Sequence, residues 1–192
     1  MKMTIELQSR LYLKMIQSLA CGFASDNNRA KKHDKRKYFT YIPNTFSEVL
    51  PIISEAINYT HKTKKQSVRF IECGSGISII TNFAFEYYKS IDYEWFTKDS
   101  LFHAIEKQKI LCNKSLSSFD FAHFANYRAY KNRNRDDVWK RCRPVIVNAS
   151  VLDIDYSEYN LIYFYQPFTS HKLGIEFENK IDKQAKPGTI VL

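Results

Sequence analysis

The stretch Val68-Arg-Phe-Ile-Glu72-Cys-Gly74-Ser-Gly76-Ile-Ser78 decides how the rest of the chain is read. The run from Val68 to Cys73 is short and apolar, with a basic turn (His61 to Gln66) before it and glycine after it. That combination predicts a buried strand. Gly74 and Gly76 then end it. Two glycines at alternate positions after a strand allow a tight bend and let backbone N–H groups approach a ligand closely. The apolar spacing from Ile77 to Tyr88 predicts a helix directly afterwards, whose N-terminus adds partial positive charge at the bend.

Working outward, strands and helices alternate. Upstream, Val49, Leu50, Ile53, Ala56 and Ile57 share one face of a helix expected from Phe46 to Tyr59, with Pro51 near its first turn. Tyr38 to Thr45 reads as extended, since Pro43 disfavours a helical Ile42. Before it, residues 4–23 predict an amphipathic helix and residues 25–37 a basic exposed loop. Downstream, Tyr93–Thr97 reads as a second strand and Ser100–Leu111 as a second helix. Residues 112–143 are irregular and read as an insertion. Val145–Val151 and Leu161–Tyr165 are further strands, Gly174–Lys183 a helix, and Thr189–Leu192 a last strand behind the Pro187-Gly188 turn. The alternation implies βαβ units: an α/β, mainly parallel sheet flanked by helices, with an N-terminal helical extension. Residues 1–37 are expected to form that extension and 38–192 the α/β domain.

A chain of 192 residues suits one sizeable domain. Its four cysteines, at 21, 73, 112 and 142, form no CxxC pair, and the five histidines are scattered, so no metal site is expected. The cysteine usage fits a reducing compartment. Glu6, Arg10 and Lys14 interrupt the first apolar residues too soon for a secretory signal, and no run is long enough for a membrane span. A cytoplasmic protein is therefore expected. The net charge of +9 favours anionic partners, although a lysine-rich solvated surface is the plainer reading. Residues 119–143 mix Tyr127, Tyr130 and Trp139 with seven Lys and Arg, a combination able to stack on bases and follow phosphates. Asp136 and Asp137 interrupt that charge, which favours an exposed helical cap instead.

The glycine bend can cradle a phosphate or the amino-acid end of S-adenosylmethionine. Glu72 bears on the choice, because an acid before the glycines repels a pyrophosphate but suits an ammonium group. The third glycine of the dinucleotide fingerprint is missing here, which also speaks against NAD. A tight strand-to-helix turn without any ligand is the plainer alternative.

Val68–Thr81 resembles motif I of the class I S-adenosylmethionine-dependent methyltransferases, which have a Rossmann-like fold. Three later segments are similar to that family's motifs and follow in its order. They are Asn148-Ala-Ser150-Val151 after the third strand, Tyr159 to Phe168 as the fourth strand with its motif IV, and Lys186-Pro-Gly-Thr-Ile-Val-Leu192 into the fifth. Tyr41-Ile-Pro43-Asn-Thr45 is similar to a segment that folds over the cofactor in the branch containing lysine methyltransferases.

The resemblance implies S-adenosylmethionine as cofactor, with Thr45, Glu72, Gly74, Ser75, Gly76, Thr97, Asp99, Ser150 and Val151 around it. Glu72 is the expected partner of the ammonium. Thr97, or Asp99 two residues on, takes the place of the acid that binds the ribose hydroxyls. Ser150 replaces an acid near adenine, without its charge assistance. Gln166 and Tyr165 are the expected catalytic residues, with Pro167 and Phe168 against the methyl acceptor, although Tyr163, Tyr165 and Phe168 also read as strand and core aromatics. The implied activity is methyl transfer to a protein side chain or nucleic acid. The missing acids favour a non-catalytic module of the same fold as the alternative, and the family's two further strands do not follow the fifth. A dinucleotide-binding oxidoreductase is the weakest reading.

Overall fold

The computed structural model describes residues 46–76, 78–91, 99–113, 115 and 144–192. The expected N-terminal helix and basic loop, the Tyr38–Thr45 segment, the Tyr93–Thr97 strand and most of the 112–143 insertion lie outside those residues.

The first element among the described residues is helix α1 (Phe46–Asn58), which runs on as a wider turn over Tyr59–Thr63. Strand β1 (Arg69–Cys73) leads through the glycine bend into α2 (Ile79–Ile91). Then come β2 (Leu101–Ile105), a helical turn at residues 109–113, and β3 (Val145–Val147). After β3 the chain makes a tight turn at Val151–Asp153 and enters β4 (Leu161–Phe164). Helix α3 (His171–Gln184) and β5 (Ile190–Val191) complete it. The strands form one sheet in the order β3-β2-β1-β4-β5, with every pairing parallel. The architecture is therefore α/β and Rossmann-like, as the alternation predicts.

Both faces of the sheet are covered, and the period of two decides which side chain goes where. Phe70, Phe102, Leu161 and Tyr163 point to the α1 and α2 side, where Ile53, Ile57, Phe85 and Tyr88 meet them. Phe102 packs edge-on against Phe85, with ring centroids 5.6 Å apart. Ile71, Cys73, Ile105 and Ile162 point to the other side, against Val151, Tyr156, Phe177 and Ile181. Each fully buried large apolar side chain stabilises by about 1.5–3 kcal/mol, so the two layers hold the central strands firmly.

One expectation is overturned. Leu101–Ile105 lies within the stretch read as a helix, yet it is β2, pairing with β1 from Arg69↔Leu101 to Cys73↔Ile105. A strand buried on both faces carries a near-continuous apolar run, which periodicity alone does not separate from a buried helix. Elsewhere the differences are at element ends. The third strand stops at Val147 rather than Val151, because residues 151–153 turn. Helix α3 starts at His171, three residues before Gly174, because the Ser170 hydroxyl accepts from Leu173 N–H and caps it.

Candidate functional site

The chain leaves β1 toward β2 on one side, and β4 lies on the other. Open α/β sheets bind ligands outside the carboxyl ends of the strands at such a reversal of order. The loops after β1, β2, β3 and β4 converge there.

The bend after β1 has the shape the glycines predict. Gly74 has φ +75° and Gly76 φ +56°, and Ser78 shares the left-handed region at φ +59°. A side chain at Gly74 would be strained, and its Cβ would stand 3.2 Å from Pro167 Cβ. The corner after β4 therefore rests directly on the bend after β1.

The amides of the bend are engaged within the chain. Gly74 N–H and Ser75 N–H both donate to Ile105 C=O at 2.9 Å. Gly76 N–H donates to Glu106 Oε2 at 2.8 Å. The bend is thus laced to the end of β2.

Glu72 is buried and faces α2. Its Oε2 accepts from Thr81 N–H at 2.8 Å and from Thr81 Oγ1 at 2.6 Å. Both donors belong to the first turns of α2, so this carboxylate anchors the helix to β1 rather than facing an open cleft. Burial raises its pKa to about 7, against the opposing effect of the Thr81 hydrogen bonds. Burial likewise pushes the neighbouring Cys73 thiol up to about 12, so it stays protonated and is no nucleophile.

Glu106 is an acid at this edge of the sheet that the sequence reading did not single out. A second strand at Tyr93–Thr97 puts the ribose-binding position at Thr97 or Asp99. With β2 at Leu101–Ile105, the residue just beyond the strand is Glu106. Asp99 precedes the start of β2, at the opposite edge of the sheet from the bend, and Thr97 lies outside the described residues. The signal was present as a mostly apolar run, Leu101 to Ile105 with His103 inside it, ending in an acid, much as Phe70-Ile71 ends in Glu72. Glu106 is buried, and its Oε1 accepts from Gln108 N–H at 2.7 Å. Burial raises its pKa, and the backbone N–H groups of Gln108, Gly76 and Lys107 oppose that rise.

After β3, Asn148 Nδ2 donates to Glu106 C=O at 2.9 Å and to Lys107 C=O at 2.8 Å. Ser150 Oγ accepts from Leu152 N–H at 3.2 Å and caps the turn that follows. Val151 is buried in the core, and its carbonyl accepts from Tyr156 OH at 2.7 Å. After β4, Tyr165 is exposed and Gln166 has φ +40°, a conformation few residues other than glycine adopt. Pro167 covers Gly74, whereas Phe168 is buried against Phe177, with ring centroids 6.0 Å apart. The structure therefore brings together Gly74, Ser75, Gly76, Gln166 and Pro167, and adds Glu106 and Asn148. It sets Asp99 apart and leaves Val151 and Phe168 in the core. Thr45 lies outside the described residues.

Among those residues, no group of His, Cys, Asp and Glu could hold a metal ion, and no helix is long and apolar enough to cross a membrane.

No protein-family model matches the sequence, and no curated protein matches it. Among solved structures, the chain is similar to an RNA methyltransferase from Salinibacter ruber in complex with S-adenosyl-L-homocysteine. Identity is 16% and the TM-score 0.46, over 78% of this chain and 75% of that one. It is also similar to the plantazolicin methyltransferase BpumL in complex with SAH, at 10% identity and a TM-score of 0.42. That match covers 88% of this chain and 49% of the other, so the chain spans about half of that protein's length.

Proposed function

We propose that this chain binds S-adenosylmethionine at the carboxyl edge of β1 and β2 and transfers its methyl group to a protein side chain or a nucleic acid. The observation that carries the reading is Glu106, a buried carboxylate at the end of β2 and in contact with the glycine bend of β1. A carboxylate just beyond the second strand can accept from two neighbouring ribose hydroxyls. The cofactor, when bound, supplies a methyl group on a sulfonium that is already a good leaving group.

The protein's own task is then mostly positioning. Glu106 orients the nucleoside, and Gly76 offers an amide beside it. Ser150, whose oxygen already accepts from Leu152 N–H, has a hydroxyl hydrogen to donate toward the base. The Gln166 carbonyl can accept from a nucleophilic N–H, and Gln166, in the left-handed region at φ +40°, immediately precedes the Pro167 that lies against Gly74. Exposed Tyr165 flanks the acceptor, and Pro167 closes the bend. In this reading residues 38–192 form the catalytic domain.

A second reading, a non-catalytic binding module, draws support from the amides of Gly74 and Ser75, which are spent on Ile105 C=O. Calorimetric titration separates the two. Micromolar binding of S-adenosylmethionine with no heat from NAD is the expected result. Absence of heat with both ligands leaves the module, and binding of NAD alone makes the site a dinucleotide site.

A further inference from the structure

Glu106 occupies the place where a ligand's own anion is expected. Its two oxygens accept from Gly76 N–H at 2.8 Å and Gln108 N–H at 2.7 Å, so it bridges the bend after β1 and the loop after β2. The backbone N–H groups of Gln108, Gly76 and Lys107 oppose the effect of its burial, though burial outweighs them. Backbone amides of that kind can donate to any carboxylate of suitable reach.

The backbone that carries the side chain is held separately. Glu106 N–H donates to Val147 C=O at 3.0 Å, and Asn148 Nδ2 bridges the carbonyls of residues 106 and 107. Removal of the carboxylate from Gly76 therefore needs a rotamer change about a fixed pivot, with no movement of the sheet. Glu72 has no such freedom, since both of its donors sit on α2.

We propose that Glu106 is a latch: it lies on the Gly76 amide in the free chain and leaves it when a nucleoside bearing an amino-acid carboxylate binds. That carboxylate takes over the amide, and Glu106 turns to accept from the ribose hydroxyls. One carboxylate acceptor replaces another at Gly76, so the amide keeps a partner in both states. Asn148 is a positioning residue that keeps the pivot in place. The proposal rests on the cofactor reading given above.

Amide hydrogen exchange at Gly76, read by NMR on the full chain, tests it. In the free protein Gly76 N–H is protected. Glu106→Ala is expected to raise its exchange at least about tenfold while the amides of α2 keep their rates. Glu106→Gln retains a carbonyl acceptor and leaves Gly76 protected. S-adenosylhomocysteine keeps Gly76 protected in the wild type, because its carboxylate fills the amide. Methylthioadenosine has the nucleoside but no carboxylate, and raises Gly76 exchange in the wild type at least about tenfold.

Unchanged Gly76 exchange in Glu106→Ala overturns the latch outright. Binding of methylthioadenosine with Gly76 as protected as in the free chain overturns the exchange and leaves the cofactor reading standing. If neither nucleoside binds although Glu106→Ala exposes Gly76, the cofactor reading has failed, and the exchange with it.

Discussion

Glu72 and Glu106 stand at the ends of neighbouring parallel strands, and both are buried. Their partners differ. Glu72 spends one oxygen on the N–H and the hydroxyl of a single helical residue, Thr81. Glu106 divides its two oxygens between amides of two loops. The first arrangement ties a helix to a strand and stays put. The second joins the loops after β1 and β2. Burial alone therefore does not distinguish the two carboxylates; the elements that supply the donors do.

The largest expected effect lies at Glu72. Its pKa is raised from the ordinary 4.5 to about 7. As pH rises through 4.5 the unfolded chain ionises this group first, while the folded protein keeps the proton. The unfolded state then binds fewer protons, so stability falls with rising pH until the folded group also ionises near 7. That contribution is full below 4.5, and about 3 kcal/mol of it is gone at pH 8. Glu72→Gln keeps acceptors for Thr81 and is expected to flatten the fall, as read by urea melts at pH 5 and pH 8. An equally steep fall in the variant would assign the effect to other groups, Glu106 among them, whose pKa is also raised.

Gly74→Val comes next. It places a branched side chain at φ +75° and drives Cβ against Pro167. A loss of about 2 kcal/mol in stability is expected, together with loss of detectable cofactor binding in calorimetry. Survival of binding would move the site away from the bend.

Glu106→Ala sharpens the contrast with Glu72. It removes a desolvated carboxylate but leaves Gly76 N–H without its acceptor, so its stability cost is expected to stay within about 1 kcal/mol. Affinity for S-adenosylmethionine should fall at least about tenfold, or roughly 1.4 kcal/mol. Equal affinity in the variant and the wild type would deny Glu106 a part in binding.

The smallest effect serves as a control away from both carboxylates. Gly174 lies in the first turn of α3, and a Cβ there meets nothing within 4 Å. Gly174→Ala should stabilise by about 0.5–1 kcal/mol with no change in cofactor affinity. Thermal melts and titration of the same preparation check both halves.

Local chemistry was enough for β1, its glycine bend, β4 and the turn into β5. An apolar run closed by Gly74-Ser75-Gly76, or one opened by Pro187-Gly188, needs no distant partner to be recognised. The Gln166-Pro167 corner was placed by the family resemblance, whose motif order implies that the ends of the first and fourth strands lie together, as they do here. Packing alone chose β2. Leu101 to Ile105 becomes a strand because β1 offers it a parallel ladder and both layers of core side chains cover it. That choice puts Glu106, rather than Asp99, at the carboxyl end of β2 beside the glycine bend. It also fixed which amides are spent inside the chain, because pairing between Gly76 and Glu106 joins two loops far apart in sequence, and hydrogen bonds of that reach leave no trace in local pattern.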